Sequence, residues 1–172
     1  MTTPLYLGVL LAVAFVPMLV EARRSAANYR ALLAAGAIEP ADDVFAVMQI
    51  AYPASFLAML AEGWVRGVPS RALVLTGAAV FVAAKAIKYW AIVTLGRRWT
   101  FRVVVPPRST LVAKGPYRFL RHPNYIGVMG ELVGYGLLAH APLAGTLATL
   151  IFAGILVARI RVEERALGLR SR

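Results

Sequence analysis

The sequence predicts an all-α integral membrane protein with about five transmembrane helices. Three observations support this fold class. The 172 residues are 60% hydrophobic, whereas soluble domains average closer to half. The apolar residues occur in long blocks, as membrane helices require. Basic residues gather at the ends of these blocks, where they set the orientation of a membrane protein.

The composition also excludes several kinds of function. The chain has no cysteine, which excludes disulfides, thiolate catalysis and cysteine-ligated metals. It has only two histidines and scattered acids, so we expect no dedicated metal site. The net charge of +11 would suggest a nucleic acid partner in a soluble protein. Here we assign it to membrane topology and anionic lipid headgroups, and we expect no nucleic acid.

The first apolar segment, residues 4–20, is uncharged and long enough to cross most of a bilayer. Pro17 lies near its end, where membrane helices tolerate a proline. The following stretch, residues 21–43, begins with charged residues and contains the helix breakers Gly36 and Pro40. We therefore predict a loop or a short surface helix after the first span.

Two further spans follow. Residues 44–61 are uncharged and predict the second helix, and residues 72–96 predict the third. Lys85 and Lys88 lie toward the C-terminal end of the third helix, where long side chains can reach the lipid headgroups. Aromatic residues at the same end predict an interfacial belt: Tyr89, Trp90 and Trp99.

The last two apolar segments are shorter. Residues 125–138 predict the fourth helix and residues 143–158 the fifth, before a basic helical tail at residues 159–172. A full span needs about 20 residues, so these helices either cross at a tilt or extend into their polar flanks.

The fourth segment has two unusual features. Glu131 is costly inside an apolar helix unless it is paired. Its predicted partner is Lys88, because each lies about two turns from the same end of its helix; a polar contact with substrate is the alternative. The glycines of this segment predict a small-residue strip for close helix packing or for a dimer: Gly127, Gly130, Gly134 and Gly136.

Basic residues determine the predicted orientation. Most of the 19 lysines and arginines lie after the first span, after the third span or in the tail. The opposite connections carry only Arg66 and Arg71. The positive-inside rule therefore predicts that the N-terminus is outside and the C-terminus inside. In a bacterial-type inner membrane, the polar segment after the third span would then face the cytoplasm.

That polar segment contains the most informative motif, Gly115-Pro116-Tyr117 followed by Arg121-His122-Pro123-Asn124-Tyr125. Together with residues 95–100 and 159–164, it resembles the isoprenylcysteine carboxyl methyltransferase (ICMT) family, and phospholipid methyltransferases more loosely. Shorter matches at residues 36–39, 99–100 and 131–134 are similar to bacterial members that O-methylate alkylpyrones or alkylresorcinols.

The resemblance implies a methyltransferase dependent on S-adenosylmethionine, with one membrane-embedded domain over residues 1–172 and a catalytic part over about residues 95–168. The family binds this cofactor in a cytoplasmic pocket. The matched positions imply these cofactor contacts: Ser109, Thr110, Leu111, Val112, Tyr117, His122, Pro123, Asn124, Tyr125 and Glu163. We add Arg121 as a charge-assisted partner for the cofactor carboxylate.

The candidate catalytic residues are His122, Arg159 and Glu164. Arg159 matches the family arginine on the substrate side and lies four residues before Glu163, so both would project from one helical face. A phenol or enol acceptor would profit from a base, for which His122 or Glu164 is suited, whereas a carboxylate acceptor needs none.

We expect the acceptor to be a lipophilic or prenylated molecule that enters sideways from the membrane lipids. The methylated group would be a prenylcysteine-type carboxylate or an alkylpyrone or alkylresorcinol hydroxyl. The alternatives are a phospholipid N-methyltransferase and a non-catalytic membrane transport or assembly protein. An oligomer is compatible with the glycine strip but has no other support in the sequence.

Overall fold

The computed structural model describes residues 2–107 and 111–168. Its five α-helices are α1 (Thr3–Ala34), α2 (Phe45–Arg66), α3 (Arg71–Leu95), α4 (Pro123–Leu138) and α5 (Pro142–Ala166). Short 3-10 turns at Gly96–Arg98 and Gly115–Arg118 lie within the segment between α3 and α4. The prediction of an all-helical protein with five helices is confirmed. Every helix except α4 is long and apolar enough to cross a membrane.

Helix α1 is longer than the sequence predicts. It continues without interruption through residues 21–34, so the expected loop or short surface helix there is wrong. Some polar residues of this stretch make tertiary contacts, whereas Arg23, Arg24 and Arg30 are exposed. Glu21 is only 3% exposed, and the side-chain amide of Asn28 donates to the carbonyls of Gly96 (3.1 Å) and Trp99 (2.7 Å). These contacts keep the extended part of α1 against the rest of the bundle.

The last two helices differ in length and surroundings. Helix α5 extends through residue 166, which confirms that the fifth apolar segment continues into its polar flank. Helix α4 has 16 residues and spans about 24 Å, less than the hydrocarbon core of about 30 Å. Leu132 and Tyr135 at its centre are fully buried, so α4 is an inner helix that is covered largely by its neighbours.

Helix α4 packs closely on α3 through its glycines. A Cβ atom at Gly134 would lie 2.6 Å from the backbone nitrogen of Phe81, and one at Gly127 would lie 3.0 Å from the carbonyl oxygen of Ala84. Gly136 faces α5 instead. These approaches confirm the predicted small-residue strip within the protein, because any side chain at these positions would separate the helices.

Contacts between helix ends show which connections share a side of the bundle. At one end, Glu62 of α2 accepts hydrogen bonds from the backbone N–H groups of Leu143 (3.3 Å) and Ala144 (2.6 Å). Tyr6 of α1 donates to the carbonyl of Leu138 of α4 (2.7 Å) at the same end. The polar segment after α3 meets the end of α5 on the opposite side. This grouping is the one that the basic residues predict; the assignment of the second side to the cytoplasm stays a prediction.

Four charged residues form a buried charge cluster between α1, α3 and α4. Lys88 pairs with Glu21 (2.6 Å) and Glu131 (3.2 Å), and Lys85 pairs with the same two glutamates (3.3 and 3.1 Å). The hydroxyl of Tyr52 donates to Glu131 (2.5 Å). The predicted Lys88–Glu131 pair is confirmed, whereas the expectation that both lysines reach the headgroups is wrong. Mutual pairing offsets the cost of burying these charges.

The predicted aromatic belt is only partly correct. Tyr89 and Trp90 are 38% and 51% exposed, as expected for interfacial residues, but Trp99 is 2% exposed. Trp99 packs edge-on against Phe101 with ring centroids 5.2 Å apart. The chain turns back into the bundle after α3, so Trp99 anchors the polar segment internally instead of facing headgroups.

We expect Gly134→Ala to lower the free energy of unfolding by about 1–3 kcal/mol, because the added Cβ would meet the backbone of α3. Gly154→Ala on α5 is the matched control, since nothing in the described residues lies within 4 Å of its Cβ; it should stabilise the helix by about 0.5–1 kcal/mol. Thermal unfolding in detergent measures both. Equal melting temperatures for the two variants would contradict the close α3–α4 packing.

We expect Lys88→Met to destabilise the protein by about 3–5 kcal/mol, because it leaves two buried glutamates with one lysine. Adding Glu131→Leu should recover part of this loss, since each remaining charge then keeps a partner. Denaturant unfolding of the two single variants and the double variant forms a complete cycle. Strictly additive losses would show that the two residues are not coupled.

Candidate active site

The polar segment is anchored to α3 by a glycine. Gly115 has a left-handed φ of 55°, a conformation that favours glycine, and a Cβ there would clash with the side chain of Thr94. This close approach begins the 3-10 turn that carries Tyr117.

Burial, together with the nearby carboxylate of Glu163, raises the pKa of Tyr117, so its hydroxyl remains neutral at physiological pH.

His122 lies between two carboxylates at the start of α4. Its Nδ1 is 3.6 Å from Oε2 of Glu163, and its Nε2 is 3.5 Å from Oε1 of Glu164. The imidazole stacks on the ring of Tyr125, with centroids 5.4 Å apart and planes 15° apart. The hydroxyl of Tyr125 donates to Oε2 of Glu163 at 2.7 Å. The structure thus brings the two ends of the motif, at α4 and α5, into one site.

Pro123 explains why His122 has this position. Pro123 is the first residue of α4, where a proline is favoured because its nitrogen needs no hydrogen-bond partner. Its ring also keeps the preceding residue out of helical geometry, and His122 accordingly has φ −129° and ψ 60°. The side chain of His122 therefore projects across the helix start toward α5.

Arg159 joins three segments of the chain. It is only 4% exposed, and its guanidinium pairs with Asp43 in the α1–α2 connection. The same group donates to the carbonyl of Phe101 (2.6 Å) and to the hydroxyl of Tyr125 (3.3 Å). Arg159 and Glu163 both contact Tyr125, which confirms that they share a helical face. In this structure Arg159 positions Tyr125; a direct contact with substrate stays a prediction.

The connection between α1 and α2 packs beside this site. A backbone bridge joins Ile38 to Val105, and Arg102 pairs with Glu39 at 2.6 Å. Burial alone would raise the pKa of Glu39, but hydrogen bonds from Tyr29 and Arg102 outweigh it and hold that pKa below its usual value. This carboxylate is therefore ionised at neutral pH.

The site has a buried polar atom that a ligand could satisfy. In the part of the chain that the structure describes, Oδ1 of Asn124 is buried without a hydrogen-bond partner, whereas the two ring nitrogens of His122 face the carboxylates of Glu163 and Glu164. Buried atoms without a partner are rare in folded proteins because they cost free energy. S-adenosylmethionine, the cofactor implied by the motif, carries an ammonium, ribose hydroxyls and an adenine amino group that could donate to Oδ1 of Asn124. The residues present therefore fit this group.

Some predicted contacts remain outside this cluster. Ser109 and Thr110 lie outside the described residues. Leu111 is 57% exposed, Val112 is half-buried and Arg121 is exposed. Their contact with a cofactor stays a prediction.

Sequence reasoning missed Asp43 and Phe101, which hold Arg159. Asp43 carried a usable signal, because an arginine inside a membrane helix needs an acid and Asp43 lies in a polar connection on the same side. The carbonyl of Phe101 carried no signal, because any residue has a backbone carbonyl.

Comparison with known proteins relates this site to a family. The profile of the Isoprenylcysteine carboxyl methyltransferase (ICMT) family matches residues 75–168, which include His122, Arg159 and Glu163. No solved structure matches the chain.

Two relatives of similar length are bacterial proteins. An uncharacterized protein of Bacillus subtilis (strain 168), YpbQ, is 31% identical over 158 residues, which cover 92% of this chain and 94% of that protein. An uncharacterized protein of Haemophilus influenzae is 26% identical over 159 residues, or 92% and 90% of the two chains. A probable protein-S-isoprenylcysteine O-methyltransferase of Oryza sativa subsp. japonica is 31% identical over 90 residues, which cover 51% of this chain and 47% of that protein.

We expect Asp43→Ala to lower the free energy of unfolding by about 3–5 kcal/mol, because it leaves the buried guanidinium of Arg159 without a counter-ion. The neighbouring Asp42→Ala is the matched control. Asp42 pairs with Arg165 at the surface, where the side chains are 56% and 50% exposed, so its loss should cost less than about 1 kcal/mol. Denaturant unfolding in detergent measures both values, and similar losses would contradict the role of Asp43.

Proposed function

Because this chain belongs to the isoprenylcysteine carboxyl methyltransferase family, we propose that it is a membrane-embedded methyltransferase that uses S-adenosylmethionine. The observation that carries the proposal is the cluster of His122, Tyr125 and Glu163. It joins both halves of the family motif, and the neighbouring Asn124 has a buried Oδ1 without a hydrogen-bond partner in the described residues.

The cofactor would supply a methyl group bound to a positively charged sulfur. Oδ1 of Asn124 and the carboxylate of Glu163 would accept hydrogen bonds from its ammonium or ribose hydroxyls. The rings of Tyr117 and Tyr125 can stack on an adenine or face a cation. Arg121, at the exposed rim, would hold a carboxylate with charge-assisted hydrogen bonds. The protein's main task in methyl transfer is alignment of the reacting atoms and exclusion of water.

The acceptor in this proposal is lipophilic and is methylated on oxygen. Four helices can cross the membrane, and the site lies at one end of this bundle, so an acceptor can enter sideways from the bilayer. A prenylcysteine-type carboxylate or an alkylpyrone or alkylresorcinol hydroxyl meets these requirements. When a hydroxyl is methylated, its proton must leave as the new C–O bond forms. His122 is suited to accept it at Nδ1, because Glu164 lies 3.5 Å from Nε2 and Glu163 lies 3.6 Å from Nδ1, and both carboxylates would stabilise the imidazolium.

Binding of S-adenosylhomocysteine to the purified protein in detergent tests the proposal. Calorimetry should detect binding by the wild type. His122→Ala and Glu163→Gln should each weaken it by about tenfold or more, because each removes a hydrogen bond or charge next to the ligand.

Arg161→Ala is the matched control, since Arg161 lies on the same helix but is exposed; it should bind like the wild type. An absence of binding by the folded wild type would refute the function. Unaltered binding by both site variants would refute this site.

A further inference from the structure

Arg159 and Glu163 lie about one helical turn apart on α5, a spacing at which an arginine and a glutamate commonly pair. In the part of the chain that the structure describes, these two side chains do not form an ion pair. The hydroxyl of Tyr125 lies between them instead, since it accepts from Nε of Arg159 (3.3 Å) and donates to Oε2 of Glu163 (2.7 Å). The guanidinium is therefore held away from the carboxylate of its own helix.

Asp43 is the group that holds the guanidinium there. Its carboxylate pairs with Nη1 of Arg159, and the two side chains are only 5% and 4% exposed. The backbone N–H groups of Phe45 (3.1 Å) and Val103 (2.8 Å) donate to the same carboxylate, so its position is fixed by further segments of the chain. Arg159 thus has its counter-ion in the α1–α2 connection, outside α5.

This pairing determines the charge of the candidate active site. The Asp43–Arg159 pair is neutral as a whole, so it does not offset the carboxylates that face His122. These lie 3.6 Å from Nδ1 in Glu163 and 3.5 Å from Nε2 in Glu164. Even a protonated imidazole would leave these three side chains negative overall. The site therefore attracts a cation, and the attraction is stronger out of water than in it.

Two chemically related probes differ in the charge to which such a site responds. S-adenosylmethionine has a positively charged sulfonium, whereas S-adenosylhomocysteine has a neutral thioether after loss of the methyl group. Their remaining charged groups are the same. A change in the charge of the site should therefore alter the ratio of the two affinities, whereas a change in its shape should affect both ligands alike.

We propose that Asp43 sets the charge of the candidate active site by neutralising Arg159, and thereby favours S-adenosylmethionine over S-adenosylhomocysteine. Asp43 acts through Arg159 and is a positioning residue. This proposal rests on the proposed methyltransferase function. The family profile matches residues 75–168 and does not include Asp43. In a methyltransferase, this preference would help the demethylated ligand to leave.

The first test removes the negative charge of Asp43 and keeps the size of the side chain. Asp43→Asn should weaken binding of S-adenosylmethionine about tenfold more than binding of S-adenosylhomocysteine. The guanidinium of Arg159 then adds an uncompensated positive charge and is free to turn toward Glu163. Calorimetry on the purified protein in detergent measures both affinities at one pH and ionic strength, without an acceptor so that no methyl group is transferred.

Asp42→Asn is the matched control, because it makes the same change of charge one residue away. Asp42 pairs with Arg165 at the surface, where the side chains are 56% and 50% exposed, and water and salt screen charges there. The ratio of the two affinities in this variant should equal that of the wild type.

The second test makes the opposite change of charge. Arg159→Gln leaves the carboxylate of Asp43 in place with its two backbone hydrogen bonds, so the site gains negative charge. Binding of S-adenosylmethionine should become stronger relative to S-adenosylhomocysteine. This variant decides the question if Asp43→Asn does not fold. A merely structural role of the pair would weaken binding of both ligands by the same factor.

The outcomes separate this proposal from the proposed function. If the wild type binds both ligands and the folded variants keep its ratio of affinities, Asp43 is only a structural anchor and the methyltransferase function stands. Shifts of the ratio in the same direction in Asp43→Asn and Arg159→Gln also overturn the proposal. A wild type that binds neither ligand overturns the function itself.

Discussion

The buried guanidinium of Arg159 is the interaction on which the rest of the site depends. It lies in a helix that is otherwise apolar enough to cross a membrane, where an unpaired charge is costly. Its partners come from three places in the chain: Asp43, the carbonyl of Phe101 and the hydroxyl of Tyr125. Satisfying one charge therefore draws the α1–α2 connection, the segment after α3 and the start of α4 to the same point.

Two other features make this convergence possible. The glycines of α4 allow it to approach α3 at backbone contact, so a helix too short to span the membrane can lie inside the bundle. The charge cluster then joins α1 to this pair through Glu21, whose carboxylate contacts both Lys85 and Lys88. The hydrophobic effect contributes little to helix association in lipid, so ion pairs and the close packing of small residues hold these helices together.

The site that results has two sides. The residues proposed to hold the cofactor, around His122 and Glu163, lie within the segment matched by the family profile. Asp43, which pairs with Arg159, lies outside that segment, in the connection between α1 and α2. Arg159 joins the two sides, because it contacts both Asp43 and Tyr125.

The sequence by itself determined the five helices, the small-residue strip and the Lys88–Glu131 pair, because hydropathy, residue size and intramembrane charge are local properties. It also predicted His122, Tyr125 and Glu163 as parts of one site through their motif, and the structure brings these side chains together. Only the tertiary structure decided that residues 21–34 continue α1 and that Asp43 holds Arg159. A polar residue next to a membrane span has the same local pattern whether it faces water or a buried partner. Whether such a residue faces water or a buried partner depends on which distant segment of the chain packs against it.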